Sequence, residues 1–194
     1  MRIVGGRLGG RPLAGPKPGI GSIRPTSDRL RESLFNVLVH GYGDAVAGAR
    51  VLDLFAGTGA LGFEALSRGA GFALLVDDGT EARGIIRENQ MALGLAGFSR
   101  IFRRDATKLG PITGMAPFGL VFCDPPYRKG LGEKALASAR EGGWLAPDAL
   151  IVLEEAADAE VNLPDGFEEL ERRAYGETQV FLLRSAGTAD VSSN

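Results

Sequence analysis

The stretch Leu120-Val-Phe-Cys-Asp-Pro-Pro-Tyr127 runs an apolar segment straight into an acid, two prolines and an aromatic ring. An exocyclic amine on a planar base is a poor nucleophile because its lone pair is delocalised into the ring. A fixed acceptor that takes a hydrogen bond from that amine moves electron density back toward an electrophile. Asp124 supplies such an acceptor. Pro125 and Pro126 stiffen the backbone, so that a carbonyl, that of Pro125, can take the second amine hydrogen. Tyr127 can stack on the base and hold its nitrogen in line. A rigid turn capped by an aspartate is the alternative, and it is disfavoured because open α/β sheets place their chemistry at the ends of such strands. Cys123 offers a thiolate route to a ring carbon, but its place on an apolar strand favours burial over reactivity.

A second constellation is Val51-Leu-Asp-Leu-Phe-Ala-Gly-Thr-Gly-Ala-Leu-Gly-Phe63. Val51, Leu52, Leu54 and Phe55 suit a buried strand. Gly57 and Gly59 suit a tight turn that a ligand can approach, and Gly62 suits close packing of the following helix. Unpaired amides where that helix begins favour an anionic group. Asp77 ends a second apolar run, where an acid can accept both hydroxyls of a ribose. Asp53 lies inside the first run, an odd place for a charge unless it meets a ligand. A nicotinamide dinucleotide and S-adenosylmethionine both fit these residues. The Asp124 stretch breaks the tie, since an oxidoreductase leaves Asp53 and Asp124-Pro-Pro-Tyr127 without a task.

The elements that must carry these residues alternate. Strands are predicted at 50–55, 72–77, 100–104, 118–123 and 149–154, with helices at about 60–68, 80–94 and 131–141. This is the pattern of an α/β fold with a parallel sheet covered on both faces. Glu168 to Tyr175 and Thr178 to Leu183, separated by Gly176-Glu177, read as an antiparallel hairpin added to the sheet edge. Upstream, Ser27 or Thr26 caps a helix that buries Leu30, Leu34, Val37 and Leu38 and turns Arg29, Arg31 and Glu32 outward. His40 closes that helix and is given no role.

The 194 residues, 44% hydrophobic and 24% charged, suit one globular domain. No apolar stretch reaches membrane-spanning length and none resembles a secretory leader, so a cytoplasmic protein is expected. With one cysteine and one histidine, neither a disulfide nor a structural metal is expected. Net charge is −2, but residues 1–31 hold Arg2, Arg7, Arg11, Lys17, Arg24, Arg29 and Arg31 against Asp28, which makes that part +6 and the remainder −8. Contact with a polyanion therefore falls to a basic arm over residues 1–23, a hairpin through Gly9-Gly10, continued by Arg24. Arg103, Arg104, Arg128 and Lys129 are the reserve candidates. On this reading residues 1–20 can be removed with little effect on a cofactor. The main domain is placed at 24–184 and a disordered tail at 185–194.

Taken together, Arg2-Ile-Val-Gly-Gly, Arg24-Pro-Thr-Ser-Asp-Arg-Leu-Arg-Glu-Ser-Leu-Phe-Asn36, Asp53-Leu-Phe-Ala-Gly-Thr-Gly-Ala-Leu-Gly62, Glu64-Ala-Leu-Ser-Arg-Gly69 and Asp124-Pro-Pro-Tyr127 make the chain resemble the class I S-adenosylmethionine-dependent methyltransferases. It is most similar to the RsmD-type guanine-N2 methyltransferases of small-subunit ribosomal RNA. The resemblance implies a Rossmann-like, mostly parallel sheet with a C-terminal antiparallel hairpin, and S-adenosylmethionine as cofactor. It implies that Asp53, Phe55, Gly57 and Gly59 surround the methionine part, that Asp77 rather than Asp78 holds the ribose, and that Asp105 and the amide of Ala106 recognise adenine. The implied partner is small-subunit ribosomal RNA in an assembling particle, met by a monomer and recognised by its folded shape. Runners-up are a methyltransferase for DNA adenine or a protein glutamine amide, a nicotinamide oxidoreductase, and a non-catalytic RNA-binding module.

Overall fold

The computed structural model describes residues 1–19, 23 and 25–187. Arg24, one of the expected RNA contacts, lies outside the described residues, as do residues 188–194 of the expected tail.

Seven strands form one sheet: β1 (Arg50–Leu54), β2 (Phe72–Val76), β3 (Ser99–Phe102), β4 (Phe118–Cys123), β5 (Leu145–Ala156), β6 (Phe167–Tyr175) and β7 (Thr178–Ser185). The order is β3-β2-β1-β4-β5-β7-β6. The first five are parallel, and β7 runs antiparallel to both β5 and β6. The terminal hairpin is present, but it is not simply added at the edge. Its second strand inserts between β5 and β6, because Val180, Phe181, Leu182 and Leu183 are apolar on both faces whereas β6 is mostly exposed on the outer rim. Ser185, expected at the head of the tail, is the last residue of β7 and is buried.

Residues of each central strand alternate between two cores. Val51, Leu75, Leu120, Phe122 and Val152 join Leu34, Phe35 and Leu38 of α1 (Asp28–Gly41), Phe63 and Leu66 of α2 (Ala60–Ser67), and Ile86 of α3 (Thr80–Ala92). On the other face Leu52, Leu74, Val121, Ile151 and Phe181 meet Ala135, Leu136 and Ala139 of α4 (Leu131–Glu141). Period-two alternation in strands sandwiched by helices thus accounts for continuous apolar runs without a polar face.

The start of β5 and the buried face of α1 differ from expectation. The strand expected at 149–154 begins at Leu145 and runs through Pro147 and Asp148: Asp148 takes a positive φ of 57° and the register with β4 shifts between Phe118 and Leu120. A bulge absorbs the irregular residues. In α1, Ser27 is the cap, accepting from the Leu30 amide, but the stripe is rotated. Arg31, expected on the exposed face, is fully buried, and Leu30 and Val37 are only partly so.

The arm closes as a hairpin through the Arg2–Pro12 antiparallel bridge, with the Ile3 amide donating to Arg11 and the Gly10 amide to Ile3. Its tip is a 3-10 turn at Gly6–Leu8, laid flat on the end of α2: a Cβ on Gly6, whose φ is +74°, would sit 2.1 Å from the Ser67 carbonyl oxygen.

Candidate active site

Leu54, the last residue of β1, pairs with Val76 of β2 on one side and Cys123 of β4 on the other. The residues that follow, Phe55, Asp77 and Asp124, therefore stand side by side at the carboxyl end of three adjacent strands. At a strand spacing of about 4.8 Å, the backbones of Asp77 and Asp124 are roughly 10 Å apart across β1.

The turn between β1 and α2 is built from left-handed residues. Phe55 has φ +58°, Gly57 +61° and Gly59 +80°, the last being the N-cap of α2. Phe55 pays for a conformation that L-residues avoid, a strain of the kind that gathers at ligand sites. Gly57 gives its amide to Asp77 Oδ2 at 3.0 Å, and Gly79 gives its own to Asp77 Oδ1 at 2.8 Å, so Asp77 stitches the turn to the end of β2. Asp78 is exposed, and its backbone carbonyl accepts Arg83 Nη1 at 2.6 Å. Burial pushes the Asp77 carboxyl above its ordinary value against the pull of both amides.

Asp53 is 1% exposed, and its Oδ2 accepts the Gly62 amide at 3.0 Å. Its Oδ1 is buried and has no partner among the described residues. Burial lifts this carboxyl to about 8, the Gly62 amide opposes the shift and the nearby Asp77 charge adds to it. A Cβ on Gly62 would lie 2.4 Å from Leu75 Cδ2, which is why α2 can press against β1 and β2 only through glycine.

Asp124 is half-buried and its Oδ2 accepts the Thr26 hydroxyl at 3.2 Å. Pro125 is buried, packed where a Cβ on Gly132 would come within 3.3 Å of its ring, and Pro126 is exposed. The Tyr127 hydroxyl donates to Glu154 Oε1 at 2.5 Å and lies 3.1 Å from Thr178 Oγ1, so the ring is anchored at its far end by β5 and β7. Burial and the Glu154 charge hold its phenol up, keeping it protonated. Cys123 is buried and its thiol is pushed well up by that burial, so no thiolate nucleophile is available there.

Asp105 lies three residues beyond the end of β3, the strand next to β2. Its Oδ1 takes both the Thr107 amide at 2.8 Å and the Thr107 hydroxyl at 2.7 Å, capping the short turn Ala106–Lys108 and holding the carboxyl below its usual range. Ala106 is buried at the start of that turn. Of the expected RNA contacts, Arg2, Arg7, Arg11 and Lys17 are all exposed, and Arg2 lies 3.6 Å from Asp28.

Several participants escape a reading of the chain alone. Ile23 approaches the glycine turn, its Cγ2 lying 3.4 Å from where a Gly57 Cβ would stand, and with Thr26 it brings the segment before α1 over the site. Asn89 accepts the Ala14 amide and donates to the carbonyls of Ala14 and Thr58, linking arm to glycine turn. Glu64 gathers the Val4 and Gly5 amides with Arg31 and Arg68. The helix entry at Arg24 to Asn36, expected to pack beside the site, and the Glu64–Gly69 stretch of the resemblance are the signals in the chain that touch these residues.

Five parallel strands, an antiparallel last strand inserted beside β5, a glycine turn after β1 and an acid-Pro-Pro-Tyr turn after β4 define a class I S-adenosylmethionine-dependent methyltransferase. The chain belongs to the RsmD family, described as "Conserved hypothetical protein 95", whose pattern matches residues 1–184. It is 41% identical over 165 residues to the ribosomal RNA small subunit methyltransferase D of Escherichia coli, covering 84% of this chain and 78% of that one. The putative rRNA methyltransferase YlbH of Bacillus subtilis is 35% identical, covering 96% of this chain and all of its own. Among solved structures, the putative methyltransferase yhhF of Escherichia coli superposes with a TM-score of 0.80 at 33% identity, over 96% of this chain and 98% of its own.

Proposed function

We propose that this protein methylates the exocyclic N2 amine of a guanine in small-subunit ribosomal RNA, within an assembling ribosomal particle. The observation that carries the reading is Asp124 at the end of β4, one strand away from the glycine turn after β1 and two from Asp77 after β2. The name of the Escherichia coli relative supports the RNA class.

The residues suit S-adenosylmethionine. The buried Oδ1 of Asp53, without a partner among the described residues, calls for a donor, which the ammonium of the methionine part would supply. Asp77 spends one lone pair of each oxygen on a backbone amide and keeps others for ribose hydroxyls. Phe55, Gly57 and Gly59 form the left-handed turn that would meet the methionine part, and Asp105 with the Ala106 amide would take the adenine end. When bound, the cofactor supplies an electrophilic methyl group. Asp124 accepts a hydrogen bond from the guanine amine and the Pro125 carbonyl takes the other, so lone-pair density builds on nitrogen. The ring of Tyr127, fixed through Glu154 and Thr178, keeps the base plane in register. Arg2, Arg7, Arg11, Lys17 and Arg24 hold RNA phosphates.

The test is methylation of small-subunit RNA, naked and in particles, from cells lacking this protein, with labelled S-adenosylmethionine and mapping of the product. One guanine carrying N2-methyl is the expected result. Label on adenine N6, on a ring carbon, or on neither substrate defeats the reading.

A further inference from the structure

We propose that Phe98, with Arg7 and Arg11 of the arm, forms a second RNA contact that stacks an unpaired base and clasps its flanking phosphates, remote from the methylated guanine. The proposal rests on the ribosomal RNA reading above and adds a site to it.

Phe98 is half-exposed, yet its backbone is fixed: its amide donates to Leu95 at 3.0 Å and its carbonyl accepts from Ala73 at 3.0 Å. The Arg7 guanidinium carbon lies 5.8 Å from the centre of its ring. Arg7 itself sits in the 3-10 turn pinned to α2, where the Leu8 amide donates to Ser67 Oγ at 3.0 Å. Arg11 Nη2 donates to the Ala92 carbonyl at 2.6 Å, which orients the guanidinium and leaves its other donors available. The neighbouring Met91 is 72% exposed. An aromatic ring, a guanidinium over it and a second fixed guanidinium are the parts of a base-stacking platform.

Charge selects RNA over protein as the occupant. Arg7, Arg11, Arg100 on the edge strand β3, and Arg103 just beyond it are exposed and form no ion pair among the described residues. On α3 the acids Glu81 and Glu88 are matched in number by Arg83 and Arg87, so that helix adds no net charge to the edge. At the opposite edge of the sheet the arginines are neutralised within their own strand, Arg172 by Glu169 and Arg173 by Glu171. One edge is thus positive and open while the other is internally paired. An apolar protein surface laid on the first would bury several unpaired guanidiniums, whereas phosphates neutralise them.

Position excludes the target guanine from this platform. Phe98 precedes the amino end of β3, and the active site lies beyond its carboxyl end. Four residues at about 3.3 Å each separate the two levels by about 13 Å. The platform therefore takes RNA flanking the target, with Arg100 and Arg103 along the path between.

The experiment measures affinity for full-length small-subunit ribosomal RNA across a salt series, with thermal midpoints as a folding control. Phe98→Ala is expected to weaken RNA binding about 5- to 100-fold, to leave S-adenosylhomocysteine affinity and turnover at saturating RNA unchanged, and to be rescued by Phe98→Tyr. Arg7→Gln with Arg11→Gln is expected to lower the logarithmic salt slope by about 1.4, at roughly 0.7 per phosphate contact. RNA affinity equal to wild type in both variants, with folding intact, overturns the proposal. So does a loss of binding seen only with protein-bearing particles and not with naked RNA, which would assign the face to a ribosomal protein. If wild type binds RNA with these differences but transfers no methyl to it, the contact stands and the substrate assignment fails.

Discussion

A carboxyl group with one buried oxygen that has no partner among the described residues is costly as a carboxylate, and Asp53 is accordingly held at about 8, well above the ordinary carboxylate range of about 4. Between those values the folded chain keeps a proton that the unfolded chain releases, so the contribution of Asp53 to stability falls as pH rises from about 4 to about 8. Asp77, also pushed up by burial, adds a slope of the same sign. Ligand-free protein is therefore expected to lose stability between pH 5 and pH 8, and Asp53→Asn to remove at least about 1 kcal/mol of that loss, read from urea midpoints at the two pH values. The same variant should bind S-adenosylhomocysteine more weakly, because an amide lacks the charge. Equal pH slopes in the two proteins would refute the assignment of the buried charge. Asp124→Ala should behave differently, with cofactor affinity near wild type and methyl transfer reduced by about two orders of magnitude or more, as loss of an acceptor that matters in the transition state produces. Near-normal turnover would remove Asp124 from its role. These acids are legible in the chain because a charge at the end of an apolar run has few structural uses. The anchoring of Tyr127 by Glu154 and Thr178 is not legible, since its partners lie 27 and 51 residues away, on β5 and on the inserted β7.

Helices and strands were recoverable from periodicity alone wherever one face or both faces are buried, and the misjudged boundaries have local causes. Pro147-Asp148 carries a turn signal that a bulge overrides, and Arg31 carries an exposure signal that an ion pair overrides. Arg31 and Glu64 are both fully buried, 3.2 Å apart, and Arg31 also pairs with Asp28 while Glu64 pairs with Arg68. Burial lowers the Arg31 pKa and the two carboxylates work against that shift. No spacing rule on α1 reveals a partner on α2. Removing one member strands the other in the core, so Glu64→Ala is expected to cost about 3 to 5 kcal/mol. It also releases the Val4 and Gly5 amides and with them the arm. Glu169→Ala at the exposed Arg172 pair should cost less than about 1 kcal/mol. Chemical denaturation of both variants checks the contrast, and similar costs would mean that water reaches the α1–α2 junction.

At the scale of the whole molecule, charge arithmetic over the first 31 residues treats the arm as a detachable cation, and the packing contradicts that picture. Arg31 belongs to the core, and Arg2 and Arg31 share Asp28, so the cations free to meet phosphate are fewer than the +6 count implies. Ile3 and Leu13 are buried, Ser67 and Glu64 bond the arm's backbone, and Asn89 ties Ala14 directly to Thr58 in the glycine turn. Deleting residues 1–20 is therefore expected to destabilise the protein by about 3 to 6 kcal/mol through the two lost apolar side chains alone. It should also weaken cofactor binding, because Asn89 then donates to Thr58 with its other contacts unmade. Neutralising the same segment in place separates charge from packing. Arg7→Gln, Arg11→Gln and Lys17→Gln together should leave the thermal midpoint and S-adenosylhomocysteine affinity close to wild type, while the logarithmic salt slope of RNA binding falls by about 2. Calorimetry, thermal denaturation and a salt series on the two proteins read all three quantities. A truncated chain as stable and as tight for cofactor as the intact one would show that the arm is an appendage, and parallel salt slopes in the neutralised chain would show that RNA is held elsewhere.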